Sequence, residues 1–438
     1  MTGWDVALIG AALIAYALIS RRLEGTFVTA PMAFVVFGFT VGTEGLDLLD
    51  ADIGSSELRL LAEVTLALLL FSDASALDTR HLARESGMPL RLLGVALPLT
   101  IALGSVIGVI AFPGLVVFEA VALAVLLAPT DAALGQSVVS DRRLPSVVRQ
   151  GLNAESGLND GVCVPLLVAA VTFAELEEAP TFSGQVLVDL VEELAIAAVV
   201  GFAIAVMVSV LARLSTRRGW MLERWGLIVP FAATGAAYAV TAELGGSGFI
   251  AAFVAGLTYG RLLGEAAHQS TELIEDLGQA LSAATFLLFG ATVVGRGLPD
   301  LDLATVVYAV SSLTVIRMVP VAISLLGSGA RRETVAFVGW FGPRGLASIV
   351  FALTVVEESG LSGTRRIVDV ATITVVLSIF AHGMTAPWLT DRYARWLDAN
   401  RNELTFETED VAVGSRTRHP RRSWPGAARR VEQRADGG

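Results

Sequence analysis

Asn153-Ala154-Glu155-Ser156-Gly157-Leu158-Asn159-Asp160-Gly161 sets five polar side chains inside an apolar stretch running from about residue 146 to 173. Its C-terminal flank, Val162 to Val171, carries no charge. A stretch of this length crosses a hydrocarbon core roughly 30 Å thick as a helix. The polar segment therefore belongs inside a membrane span, where an ionisable side chain costs about 2.5–3.5 kcal/mol on insertion scales and marks function by default. On a helix, Ser156 and Asp160 share a face at i, i+4, and Glu155 and Asn159 share the adjacent one. One stripe offers a hydroxyl and a carboxylate. The other offers a carboxylate that can meet an arginine and an amide that can brace it. A polar interhelix network without a transport role is the competing reading, weakened because Asp160 has no cation near it in sequence.

The rest of the chain agrees with this environment. Of its 438 residues, 54% are hydrophobic and 17% charged, with a mean hydropathy of +0.66. A soluble domain is roughly 45–50% apolar and about 25% charged. These values exclude a soluble enzyme, a disordered protein and a disulfide scaffold. Apolar runs of about 18 residues or more recur. They give an all-α polytopic membrane protein of about thirteen transmembrane helices, at roughly 4–20, 27–42, 58–75, 90–112, 116–140, 146–173, 187–212, 222–243, 246–262, 279–295, 303–327, 334–356 and 367–389. The first run, Trp4 to Ser20, has neither the basic start nor the cleavage site of a signal peptide. Cys163 stands alone in an apolar run, which reads as packing and excludes an intramolecular disulfide or a cysteine-based metal cluster.

Charge gives the orientation. All 31 basic residues are arginine. With the N-terminus outside, fifteen fall in cytoplasmic loops and ten in the C-terminal segment, against four (Arg59, Arg296, Arg365 and Arg366) on the other side. Acids such as Glu44, Asp47, Glu175 and Glu177 crowd the outer loops, a weaker signal consistent with this. The expectation is N-terminus outside and C-terminus cytoplasmic, in a plasma (inner) membrane.

The remaining arginines, Arg317 and Arg344, fall inside spans, as do Asp73, Asp131, Glu155 and Asp160. Four acids against two bases suit a cation or proton site. Asp131 follows Pro129 in Ala128-Pro129-Thr130-Asp131, and Arg344 follows Pro343 in Gly342-Pro343-Arg344-Gly345. Proline breaks a helix by removing a backbone donor and displacing its predecessor from helical geometry. If spans 1–6 and 8–13 are inverted repeats about span 7, the broken spans 5 and 12 are counterparts. Matched interruptions point to a transporter's central site. Asp73 can approach that site from span 3 or sit at its cytoplasmic mouth.

Thr130-Asp131 in a broken span, followed by Glu155-Ser156-Gly157-Leu158-Asn159-Asp160, resembles the monovalent cation:proton antiporters, in their NhaP-like sodium/proton exchanger branch. Arg317, Gly342-Pro343-Arg344-Gly345, and Thr29-Ala30-Pro31 leading to Gly38 and Gly42 fit the same family. The likeness covers roughly residues 5–390. It implies a thirteen-helix inverted-repeat fold, a homodimer, and a core that moves against a dimerisation domain, the two interleaved over 1–390. By composition, residues 391–438 read as an arginine-rich cytoplasmic tail, expected to be disordered; a dispensable solvated tail is the first reading and attraction to anionic lipid head groups the second.

The resemblance makes Asp160 the essential ion- and proton-binding carboxylate, with Ser156, Thr130 and Asp131 around it. Asp160, Ser156 and Thr130 would hold the monovalent cation, and Asp73 matches more loosely. Glu155 and Arg317 would form a structural ion pair braced by Asn159, while Pro129, Pro343 and Arg344 would support the break. The family often has proline after Thr-Asp, where this chain has Ala132. An Asn-Asp pair is similar to the electroneutral branch.

The expected activity is exchange of a monovalent cation, Na+ first and Li+ or K+ as alternatives, for H+ by alternating access. One carboxylate cannot readily hold both at once, so the simplest stoichiometry is 1:1. No cofactor, nucleic acid or ATP is expected, nor an enzymatic activity. The alternatives are a cation channel and a sodium-coupled solute symporter. His81, His268 and His419 read as solvated, and His382, in the last span, has no assigned role.

Overall fold

The protein's computed structural model describes residues 3–23, 26–49, 56–76, 87–131, 134–178, 185–294, 301–358 and 360–400. Among these there is helix and irregular chain, and no strand. The helices are α1 (Gly3–Leu23), α2 (Ala30–Val41), α3 (Ser56–Ala76), α4 (Gly87–Ala111), α5 (Val117–Leu126), α6 (Gln136–Val139), α7 (Ser146–Glu178) and α8 (Gln185–Arg217). They continue as α9 (Glu223–Glu243), α10 (Gly248–Leu263), α11 (Glu265–Phe289), α12 (Leu303–Ser324), α13 (Arg332–Trp340), α14 (Leu346–Glu358) and α15 (Thr364–Asn400). Helix occupies every stretch read as a span. Among the described residues, eight helices are long and apolar enough to cross a membrane, and α2, α5, α10 and most of α14 are shorter apolar helices.

Local chemistry explains several boundaries. Thr29 caps α2, accepting the Met32 N–H at 3.4 Å, and Pro31 sits in the first turn, where no backbone donor is needed. In α4 a π-helical turn covers Leu92–Ala96 just before Pro98, whose missing N–H disrupts the regular ladder. Cationic side chains serve helix C-terminal carbonyls: Arg91 donates to Ser324 at 3.0 Å and Leu326 at 2.8 Å beyond the end of α12.

Two bundles result. One packs α4, α5, α7 and α12–α15; the other packs α2, α3 and α8–α11. Lipid is as apolar as the helices, so close packing holds them together more than transfer from water does. Gly256 and Gly260, a small-xxx-small pair, let α10 lie on α3: β-carbons there would collide with the backbone of Phe71 and Ser75. The bundles meet where α3 runs beside α7 and α14.

Three features depart from the sequence expectation. Span 5 is interrupted over a long segment: α5 stops at Leu126 and α6 begins only at Gln136. Span 11 has an interruption of its own at Thr314, whose φ of −115° and ψ of −91° separate Leu303–Leu313 from Val315–Ser324. The last helix continues to Asn400, so residues 391–400, assigned to the tail, are helical. Residues 401–438, His81, His419 and Ala132 lie outside the described residues, as does the side chain of His268.

Candidate functional site

The two interruptions cross. Between α13 and α14 the chain is non-helical over Phe341–Gly345. The Asp131 N–H donates to the Pro343 carbonyl at 2.8 Å. Arg344, fully buried, donates through Nη1 to the carbonyls of Ala128 at 2.6 Å and Pro129 at 3.1 Å, where α5 has run out. The Ser348 hydroxyl donates to the Leu126 carbonyl at 2.9 Å. In return Asp131 Oδ2 accepts the Leu346 N–H, the first of α14, at 2.9 Å, and Oδ1 accepts the Leu134 N–H at 3.3 Å. A helix ends negative at its C-terminus and positive at its N-terminus. Arg344 and Asp131 are matched to those ends. Gly345 is required at the crossing, because any β-carbon there would overlap the Asp131 side chain.

Alongside the crossing, α7 presents the polar segment. Thr130 Oγ1 and Ser156 Oγ are hydrogen bonded at 2.9 Å, and Asn159 Nδ2 donates to Thr130 Oγ1 at 2.8 Å. All three side chains are buried. On the neighbouring face Glu155 and Arg317 form a bidentate pair: Nη2 donates to Oε2 at 2.7 Å and Nη1 to Oε1. Both side chains are 3% exposed. A bidentate pair in such surroundings is held by geometry as well as charge.

Asp160 differs from the acids around it. Its Oδ1 is buried and, among the described residues, has no hydrogen-bond partner; the same holds for Asn159 Oδ1. Buried polar atoms are nearly always satisfied, so such an oxygen calls for an explanation such as an ion, a water or a proton. Asp73 comes close from the other bundle: a β-carbon on Gly157 would lie 3.2 Å from Asp73 Cβ and 3.9 Å from Oδ2. Asp160, Asp131 and Asp73 are near enough to act on one another electrostatically, and Glu275 of α11 acts on Asp73.

The chain's matched region runs over residues 9–392 of a family described as sodium/hydrogen exchanger, transmembrane. The chain belongs to the sodium/hydrogen exchanger family. Among curated members, it is 25% identical over 394 residues to the K(+)/H(+) antiporter NhaP of Alkalimonas amylolytica and 23% identical over 381 residues to the K(+)/H(+) antiporter NhaP2 of Shewanella sp. (strain MR-4). These matches cover 88% and 86% of this exchanger-family chain, but 64% of each relative's length. A solved structure of the sodium proton antiporter MjNhaP1 from Methanocaldococcus jannaschii superposes with a TM-score of 0.68 at 18% identity, over 86% of this chain and 98% of that one. The structural likeness establishes the fold.

This member of the family thus gathers Asp160, Ser156, Thr130, Asn159, Asp131 and Asp73 in one region, with Glu155–Arg317 and Arg344 beside them. Sequence reasoning singled out all of these, but missed Ser348, Ser378 and His382 around the break and Glu275 near Asp73. Ser378 and His382 stand at i, i+4 in α15, a spacing that signals a shared face. Two cavities flank the bundle interface. One, about 770 Å³, is lined by Thr29, Leu134, Gln136 and Ser282; the other, about 480 Å³, by Glu63, Val164, Tyr238 and Phe351.

Proposed function

We propose that this protein exchanges a monovalent cation for H+ across a membrane by alternating access, one for one and without net charge movement, with Asp160 holding cation and proton in competition. The observation carrying this reading is the buried Oδ1 of Asp160, without a partner among the described residues, one turn of α7 after Ser156, whose hydroxyl is bonded to that of Thr130. Oxygen donors of this kind replace the hydration shell of a small monovalent cation. Asp73 supplies a further oxygen from the facing bundle. Asp131 lends its charge while its oxygens hold the crossing, and Glu155–Arg317, braced by Asn159, carries no exchangeable charge.

The exchange rule follows from electrostatics. An empty, ionised Asp160 is unfavourable to carry through the membrane interior. Movement of the α7-containing bundle is allowed only when a proton or a cation neutralises it. The two cavities that flank the bundle interface are the approaches used in turn. The thirteen spans form two inverted repeats about the seventh, in a homodimer of the plasma membrane with the N-terminus outside. Sodium is the first cation to test, and the K(+)/H(+) names of the relatives make potassium the second.

The test uses purified protein in vesicles containing a pH dye, challenged with Na+, K+ and Li+ with and without a potassium/valinomycin clamp. Cation-driven internal pH change that is insensitive to the clamped potential is expected. A cation current without proton movement contradicts the proposal.

A further inference from the structure

His382 is enclosed in α15, 1% exposed, one turn after Ser378. Its Nε2 faces the Trp340 carbonyl at 2.9 Å; its Nδ1 faces the Ser378 hydroxyl at 3.2 Å and the Ser378 carbonyl at 2.9 Å. The Ser378 hydroxyl in turn accepts the Arg344 N–H at 2.6 Å. Trp340 is the last residue of α13, and Arg344 lies two residues before α14. One turn of α15 therefore grips both ends of the non-helical segment Phe341–Gly345.

Each ring nitrogen faces a carbonyl, which only accepts, and a neutral ring carries one proton, so the ring donates either to Trp340 through Nε2 or to the Ser378 carbonyl through Nδ1. In the Nε2–H tautomer Nδ1 accepts the Ser378 hydroxyl, and Arg344 N–H, Ser378 O–H and His382 Nε2–H each find an acceptor. That is the form that ties α15 to Trp340. The Trp340 ring is anchored as well: its Nε1 donates to Thr385 Oγ1 at 3.0 Å, and the ring lies 5.2 Å from the imidazole.

This strap matters because of what the gripped segment holds. The Pro343 carbonyl accepts the Asp131 N–H, and Arg344 holds the carbonyls of Ala128 and Pro129. The residue between those contacts is Thr130. Loosening the segment shifts the backbone on both sides of Thr130 while leaving Asp160 on α7 in place. We propose that His382 is a positioning residue for the cation site, acting through Trp340 and Ser378 on the segment that fixes Thr130. The proposal rests on the reading of Thr130 and Asp160 as the exchange site.

The conservative variants separate this role from general packing. A glutamine amide nitrogen reaches the position of Nε2, and an asparagine amide that of Nδ1. His382→Gln therefore retains the bond to Trp340 and is expected to stay within about twofold of the wild-type cation KM, whereas His382→Asn raises KM about fivefold to tenfold with Vmax little changed. Ser378→Ala raises KM similarly, and combining it with His382→Asn adds little, because both act on one segment. Amide hydrogen exchange, followed by mass spectrometry over Arg344–Leu346, reads the strap without transport: it quickens in His382→Asn and Ser378→Ala and not in His382→Gln.

Equal behaviour of the glutamine and asparagine variants overturns the proposal. So does faster amide exchange with an unchanged KM, which leaves His382 a structural residue only. Wild-type vesicles that exchange no cation for protons overturn the functional reading and the positioning role with it, whereas unchanged kinetics in an active His382→Asn protein overturn the positioning role alone.

Discussion

Asp131 and Arg344 hold each other's helix ends. The arginine sits on the carbonyls of Ala128 and Pro129 at the close of α5, and the aspartate sits on the first N–H of α14. Arg344 is fully buried and Asp131 half-buried, each at the helix end of opposite sign, and each lies in the segment that the other holds. Their effect on one another runs through the helix ends each holds, so removing one leaves the other's charge less compensated. Asp131→Asn and Arg344→Gln are each expected to lower the melting temperature of the detergent-purified protein. In the double variant the losses fall short of additive, with a coupling of about 1 kcal/mol or more. Strictly additive losses would separate the two residues.

Glu155 and Arg317 form the direct pair. Breaking a buried ion pair from one side costs about 3–5 kcal/mol, because an uncompensated charge remains, while replacing both members with apolar groups is often near neutral. Glu155→Ala or Arg317→Ala should therefore give little monodisperse protein on size-exclusion chromatography. Glu155→Leu combined with Arg317→Met should recover more folded protein than either single change.

Thr130 offers one hydroxyl to Ser156 and Asn159. Thr130→Val keeps the shape and deletes that oxygen, leaving the amide of Asn159 without its acceptor. The expected outcome is a cation KM raised about tenfold with the fold retained, from loss of a ligand and a bond to a buried donor. Thr130→Ser should lie near wild type. The measurement is dye-reported exchange over a range of cation concentrations.

Competition at one carboxylate also sets a pH dependence. Protons bind the same group as the cation, so acidification must weaken apparent cation binding. On the acid side of the site's own titration, the cation KM should rise about tenfold for each pH unit. Saturating cation should restore the same Vmax. A KM independent of pH across pH 5–9 would point to separate sites.

Much of this was readable from the order of residues. Apolar run lengths reveal the membrane, and prolines 129 and 343 mark the two breaks, because each removes a backbone donor in mid-span. That a buried Glu155 needs an arginine is legible from its setting, but its match with Arg317 comes from the family resemblance. The helix break at Thr314 left no such mark: neither proline nor glycine stands there. Asp131 looked like a member of the ion site, but what its oxygens touch depends on which segments cross, 215 residues apart in sequence. Glu177 illustrates the same limit. Read as an outer-loop acid, its carboxylate accepts the N–H groups of Val117 at 3.3 Å and Phe118 at 3.0 Å at the start of α5. His382 carried no signal beyond its spacing from Ser378, because its partners lie on the far side of a break.

Asp160 remains the centre of the account, and Asp160→Asn is its most direct test. The substitution keeps the size of the side chain and removes the charge that cation and proton compete for. Wild-type and Asp160→Asn proteins, matched for melting temperature and size-exclusion profile, should be placed in vesicles and assayed for pH-driven cation uptake. The account predicts a folded Asp160→Asn protein with no exchange above protein-free vesicles. Uptake by Asp160→Asn at the wild-type rate would contradict it.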